Sequence, residues 1–258
     1  MWQFDASHFL VFGIPPYIFF AGTGLVFALS TYPILLLIRG KRADVYMPRL
    51  LISLLFMVAG AKLLGILVSV FNCIQSGDTI TLETVLKAGI VYYGGLFGLL
   101  LGMALVCKIK DKNVTSDVFD PVAVVIPLFH TFGRIGCFTA GCCYGKVTDS
   151  KLAVLYTIHQ GADIETAFRI PTQIIEASIN FLVFCSILFF FIKRKYEGDL
   201  IYIYLAIYAI VRFLMEFIRG DTYRGVFIGV STSQIISLFV LISIMIKIIK
   251  TKGYKNHG

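Results

Sequence analysis

Long apolar stretches alternate with short polar connections along this chain. Seven apolar runs can be drawn: Tyr17–Ile38, Leu50–Phe71, Gly89–Cys107, Pro121–Phe132, Gln173–Ile192, Leu200–Ile218 and Val226–Ile249. A helix needs about 20 mostly apolar residues to cross the hydrocarbon core of a bilayer. Most of these runs reach that length. The fourth is short, so it is expected to be broken, tilted or re-entrant, with non-helical backbone after Phe132; such backbone is tolerated at membrane depth where it lines a cavity or is buried in protein. The pattern therefore predicts an all-α, polytopic integral membrane protein with about seven transmembrane helices. Residues 1–258 are read as a single transmembrane domain, with a small outward-facing cap around 133–170 formed by the longest connection.

Composition sharpens this picture. Of the 258 residues, 58% are hydrophobic, more than a soluble domain needs. The first residues carry no basic n-region, so no cleavable signal peptide is expected. The net charge of +8 raises the question of nucleic acid, but the basic residues fall mainly between the apolar runs. Arg39, Lys41, Arg42 and Arg49 follow the first run, Lys108, Lys110 and Lys112 the third, Lys193, Arg194 and Lys195 the fifth, and Lys247, Lys250, Lys252 and Lys255 close the chain. The intervening connections are poorer in them. Under the positive-inside rule this puts the C-terminus inside and the N-terminus outside, with residues 133–171 and 219–225 on the outer face. No nucleic-acid partner is expected.

The segment His130-Thr-Phe-Gly-Arg134-Ile-Gly-Cys137-Phe-Thr-Ala-Gly141-Cys-Cys-Tyr-Gly145 concentrates the chemistry. Arginine at the edge of hydrocarbon is seldom kept there without a partner or a task. Glycines such as Gly133 and Gly141 let backbone bend and approach a ligand closely. An anionic lipid headgroup is the guest that fits. Cys137, Cys142 and Cys143 form the only cysteine cluster; they lack paired Cys-x-x-Cys spacing and have only His130 or His159 near them in sequence, so neither a metal nor another cofactor is expected. The cysteines either take part as a covalent relay or fill space.

Tyr208, Arg212 and Glu216 recur one helical turn apart in the sixth run, and Arg219 lies near the same face. Two readings stand: an Arg–Glu pair that glues helices together, or an anion site in which Glu216 orients Arg212, whose planar guanidinium binds phosphate bidentately. Gln173 and Glu176 share a face just after Pro171, a residue suited to the first turn of a helix; Glu176 either interacts with the positive helix end or serves the site. Tyr93-Gly94-Gly95 opens the third run, where small residues let helices pack closely. Lys62, inside the second run, either snorkels or pairs with an acid.

Taken in order, these segments resemble prolipoprotein diacylglyceryl transferase, a bacterial inner-membrane enzyme that moves diacylglycerol from phosphatidylglycerol to the thiol of a lipobox cysteine. Tyr93-Gly-Gly-Leu is similar to a family His-Gly-Gly-Leu. Gly133-Arg-Ile-Gly-Cys-Phe-Thr-Ala-Gly141 is similar to Gly-Arg-x-x-Asn-Phe-x-Asn-Gly, and Pro171-Thr-Gln-Ile-Ile-Glu-Ala to Pro-Ser-Gln-Leu-Tyr-Glu-Ala. Arg212-Phe-x-x-Glu-Phe-x-Arg219-x-Asp221 resembles Arg-Phe-x-x-Glu-x-x-Arg-x-x-Asp with one residue fewer before the aspartate. Ser231-Thr-Ser-Gln-Ile-Ile-Ser resembles Ser-Met-Gly-Gln-x-Leu-Ser.

The resemblance implies a multi-pass enzyme of the bacterial cell (inner) membrane, with seven spans and the N-terminus outside. Phosphatidylglycerol or a similar anionic phospholipid would be donor and a prolipoprotein cysteine acceptor. Arg134 and Arg212 would grip the lipid phosphate, with Tyr208, Glu176 and Tyr93 in the chemistry. Gly94, Gly95, Gly133, Cys137, Gly141, Gln173, Glu216 and Arg219 would shape the substrate site. The departures lie on the acceptor side: Tyr93 stands for the family histidine, Cys137 and Ala140 for two asparagines, and Cys142 for a common glutamate. Two alternatives therefore remain beside the family reaction: the same scaffold acting on a non-lipoprotein acceptor, and a non-catalytic lipid-binding protein.

Overall fold

A computed structural model describes residues 2–4, 11–110, 116–160, 163–220, 226–227 and 230–255, with side chains undescribed at 2–4, 116–117, 158–160, 163–165, 226–227 and 251–255. The described helices are α1 (Pro16–Ile38), α2 (Ala43–Ser76), α3 (Leu82–Lys87), α4 (Tyr92–Lys110), α5 (Asp120–Thr139), α6 (Thr172–Ile192), α7 (Leu200–Met215) and α8 (Thr232–Lys255). Six are long and apolar enough to cross a membrane, and α7 is a shorter apolar helix. The chain is thus an all-α polytopic membrane protein. Short strands accompany the helices: β1 (Trp2–Phe4), β2 (Val154–Gln160), β3 (Asp163–Arg169), β4 (Val226–Phe227) and β5 (Val230–Ser231).

The fourth run departs from expectation. It is a continuous helix of 20 residues that passes through Pro127 and carries Gly133, Arg134, Gly136 and Cys137 in its last turns. Glycines favour a break, but a membrane helix tolerates them where neighbours pack against them. At Gly136 an added Cβ would lie 3.2 Å from the Tyr17 carbonyl oxygen of α1. The turn comes later, at Gly141, which has a φ of 66°.

The chain divides into two compact units. Unit 1 takes residues 1–32, 116–221 and 240–258; unit 2 takes residues 33–115 and 222–239. In unit 1, α6 packs along α5. Asp120, fully buried at the start of α5, accepts from the backbone amides of Gly198 (2.7 Å) and Leu200 (3.3 Å) and so anchors the start of α7. After α5 the chain forms a small sheet in which β1 pairs parallel with β2, and β2 antiparallel with β3, Val154 opposite Arg169. Its β2–β3 hairpin lies in the stretch read as a cap. Apolar periodicity does not reveal it, because its strands alternate too briefly.

Unit 2 is built on α2 and α4. An added Cβ at Gly60 would collide with the Gly94 carbonyl, one at Gly94 with that of Gly60, and one at Gly98 with that of Phe56. Gly94 is thus a close-packing position between α2 and α4; a Cβ at Gly95 would meet Ala61 at ordinary contact distance. Lys62, read as snorkelling or pairing with an acid, is held by backbone: its Nζ donates to the carbonyls of Leu86 (2.9 Å) and Ala88 (2.6 Å) at the end of α3. At the start of α8, Ser231 and Gln234 form a reciprocal cap, with Gln234 N donating to Ser231 Oγ and Ser231 N to Gln234 Oε1.

Candidate active site

Three helices of unit 1 bring charge together. Arg134 lies near the end of α5, Glu176 in the second turn of α6, and Arg212 in the last turn of α7. The chain turns after Met215, and Glu216 and Arg219 follow in that turn. Glu176 is the hub. Its Oε2 lies 2.6 Å from Arg134 Nε, and its Oε1 lies 3.2 Å from Arg219 Nη1 and 3.7 Å from Arg212 Nη1. Arg212 Nη2 also meets Glu216 Oε2 at 2.8 Å. The side chains of Arg134, Arg212, Arg219 and Glu176 are only 9%, 8%, 4% and 3% exposed. Among the described residues, this cluster sets three guanidiniums against two carboxylates. Desolvating an ion costs several kcal/mol, roughly, even after relaxation, so an excess of buried cation over anion favours an anionic ligand.

The surroundings hold these groups in place. Gly145 N donates to Ile170 O (2.9 Å), Lys146 N to Ile218 O (2.9 Å) and Gly220 N to Tyr144 O (3.2 Å), so three distant segments lock beside Arg219. Only glycine fits at position 145, where a Cβ would lie 2.7 Å from Ile170 Cβ and 2.9 Å from Ile218 O. The Arg169 guanidinium stacks over the Tyr144 ring at 4.5 Å. Gln173, fully buried, accepts from the Tyr156 hydroxyl (3.1 Å) and donates to Cys142 O (2.5 Å). Asn180 Nδ2 donates to the Glu176 carbonyl at 2.8 Å.

The sequence-predicted residues thus divide. Arg134, Glu176, Arg212, Glu216 and Arg219 converge; Tyr208 is buried on the same face of α7 as Arg212, and Gln173 buttresses the loop that follows α5. Gly133 has open space where a Cβ would go. Gly141 forms the turn that leads to Cys142. Tyr93, Gly94 and Gly95 belong to unit 2, where the buried Tyr93 hydroxyl shares a 2.7 Å hydrogen bond with Ser237 Oγ. Asp221 and the side chain of His159 fall outside the described residues. Glu176 does more than interact with a helix end, and Arg212 does more than pair with Glu216.

His130, which the sequence reading placed at the head of this segment and weighed only as a metal ligand, joins the arginine centre. It is buried one turn before Arg134, accepts from Arg134 Nε at 3.2 Å and packs its ring 5.4 Å from that of Tyr208. Its spacing to Arg134 is the signal that could have shown this contact.

The cysteines also overturn a spacing argument. Consecutive Cys142 and Cys143, with Cys137 on the helix before them, look unsuited to a common centre. The turn at Gly141 brings all three sulfurs within 4.8 Å of one another. The Cys143 thiol is held well below its ordinary range by side-chain hydrogen bonds from Cys137 and Cys142, against the opposing effect of burial, with help from Arg134 and Arg219. Cys142 is pushed up through the same sulfur contacts. Burial raises the Tyr156 hydroxyl, partly offset by its bond to Gln173.

Fold and centre together define a class: a multi-pass helical membrane protein with a desolvated arginine–carboxylate centre assembled at the ends of its spans. The family profile for prolipoprotein diacylglyceryl transferase matches residues 8–250. A phosphatidylglycerol–prolipoprotein diacylglyceryl transferase of Clostridium tetani is 34% identical over 240 residues, 91% of this chain and 92% of that protein. A second protein of that description, from Clostridium perfringens, is 34% identical over 222 residues, 85% of each chain. The chain belongs to the prolipoprotein diacylglyceryl transferase family.

Proposed function

We propose that this protein transfers diacylglycerol from phosphatidylglycerol to the cysteine thiol of a prolipoprotein. The observation that carries the reading is the trio of buried arginines around Glu176. In this mechanism Arg134 and Arg212 bind the lipid phosphate, and Arg219 adds positive charge. Glu176 and Glu216 orient the guanidiniums. The acceptor sulfur attacks the glycerol carbon that bears the phosphate ester. The carbon–oxygen bond breaks, its electron pair leaves with glycerol phosphate, and the thiol proton passes to a base or to solvent. Charge that grows on the leaving oxygen meets donors already fixed in a water-poor site, which is where such donors help most. Both Glu176 oxygens already face guanidiniums, so this residue acts as an orienter. Tyr208 lines the same face, beside His130.

The membrane is the bacterial inner membrane, with the N-terminus outside, the C-terminus inside and the β2–β3 hairpin on the outer face. The charge alternation of the connections supports this orientation. Reporter fusions after Lys195 and at the C-terminus should report cytoplasm, and one near Ser150 the exterior; a cytoplasmic signal at Ser150 would invert the site.

One observation favours a second reading, the same transfer to another acceptor. Cysteine hydrogen-bonds weakly compared with asparagine, and Tyr93 has its hydroxyl engaged by Ser237. Purified protein given labelled phosphatidylglycerol and a lipobox peptide tests both readings, together with complementation of a strain depleted of the standard enzyme. Robust transfer and complementation support the family reaction. Lipid binding without peptide transfer moves the assignment to a different acceptor, and absence of both points to a non-catalytic protein.

A further inference from the structure

We propose that Cys137, Cys142 and Cys143 form a three-thiolate site for a soft d10 cation of the zinc class, whose fourth position takes the acceptor thiol. Three observations support the site. The first is convergence: all three sulfurs lie within 4.8 Å of one another. Thiolates bound to one zinc ion at about 2.3 Å stand roughly 4 Å apart, so small side-chain rotations suffice. All three cysteines are free of disulfides.

The second is a preorganised backbone. Cys143 has a φ of 61°, a left-handed conformation that a non-glycine residue adopts only when its surroundings hold it there. Thr172 Oγ1 donates to Cys143 O at 2.8 Å, Gln173 Nε2 to Cys142 O at 2.5 Å, and Cys142 N to Cys137 O at 3.1 Å. Thr172 and Gln173 are both fully buried on α6. Space-filling cysteines would not require two buried polar side chains to fix the loop that carries them.

The third is charge and access. Three thiolates and a divalent ion sum to one negative charge, which suits a place beside Arg134 and Arg219. Sulfur donors select soft ions over magnesium or calcium. Three protein ligands with one open position is the arrangement of reactive rather than structural zinc sites. Cys142 is exposed, which leaves a route for the ion and for a fourth ligand.

The second part of the inference rests on the transferase reading. A thiol that coordinates such an ion gives up its proton. The bound sulfur then attacks the glycerol carbon, the carbon–oxygen bond breaks, and its electron pair leaves with glycerol phosphate held by the arginines. The thioether formed is a weaker ligand than a thiolate and departs. Coordination thus supplies the thiol deprotonation without a side-chain base.

The test uses the full-length protein in detergent, reduced and stripped of metal, titrated with Co2+ as a spectroscopic probe. The site predicts one equivalent bound, with thiolate-to-metal charge transfer in the near ultraviolet. Cys137→Ser, Cys142→Ser and Cys143→Ser should each weaken binding at least about 100-fold, since loss even of an outer-shell partner costs about 10–100-fold. A small cysteine-derivative thiol added to the Co2+-loaded wild type should shift its visible spectrum. Wild type that shows no charge-transfer band, or folded variants that bind as tightly as wild type, overturn the site. A spectrum indifferent to added thiol, or full transfer rate in metal-free protein, overturns the acceptor role while leaving the transferase reading intact.

Discussion

The α2–α4 pair and the α5–α6–α7 centre are two opposite ways of holding helices together. In the first, bare backbone meets bare backbone: Gly60 against Gly94, and Gly98 against the Phe56 carbonyl. In the second, buried side chains carry full charges around Glu176. Lipid removes the ordinary hydrophobic drive for helix association, so close packing and polar contacts must replace it. Packing alone accounts for the α2–α4 pair. It does not account for three desolvated arginines, since ionisable groups inside a membrane protein are expensive to bury. The cations of the two regions also differ in kind. Lys62 is satisfied by two backbone carbonyls at the end of α3, whereas Arg134 is held by a carboxylate that it shares with two other arginines.

That contrast breaks most readily at the arginines. Arg134→Gln and Arg212→Gln should each lower transfer on the order of 100-fold or more, the scale of losing a fixed transition-state donor, with insertion retained on membrane fractionation. Lysine at either position should give a rate between wild type and glutamine, since it keeps the charge but loses the planar fork. Near-normal transfer in a glutamine variant would reduce the centre to another helix contact. Glu176→Gln should lose transfer and also stability, by roughly 3–5 kcal/mol, because it leaves buried guanidiniums uncompensated; a transfer assay and thermal unfolding in detergent read the two losses.

Gly98→Val tests the other side of the comparison. Overpacking costs about 1–3 kcal/mol, and here the added carbons meet backbone, which cannot rotate away. The unfolding midpoint should fall while the rate per folded molecule stays close to wild type. A lost rate with an unchanged midpoint would assign the α2–α4 contact a catalytic part. Lys62→Met should cost less, about 1 kcal/mol for each hydrogen bond given up, with transfer unaffected. Gly133→Ala should change least, since nothing lies within 4 Å of the added carbon; a marked fall in lipid binding there would show that the lipid itself fills that space.

Much of the centre is legible in the amino-acid order. Arg134, Arg212, Glu216 and Arg219 stand out because charged residues beside long apolar runs are conspicuous, and helical spacing puts Tyr208, Arg212 and Glu216 on one face. The hub is harder. Glu176 has an adequate local explanation at its helix end, and a local pattern cannot announce partners on two other helices. Asp120 and Thr172 escape notice for a related reason: an aspartate and a threonine at helix starts read as ordinary until their partners are known, and His130 shows its part only once its contact with Arg134 is seen. The glycines after Phe132 mislead, because glycine permits a bend without requiring one.

By itself the amino-acid order determined the membrane class, the runs that become helices and the face each charged residue takes, since these follow from apolar length and from the pitch of a helix. Tertiary structure alone decided that three arginines share one glutamate. It also decided that Gly94 serves a helix contact and that Tyr93 meets Ser237. The gathering of Cys137, Cys142 and Cys143 depends on a left-handed residue clamped from α6. Each of these is a meeting of segments distant in sequence, set by steric fit and by the need to satisfy buried polar groups, and neither requirement leaves a periodic trace along the chain.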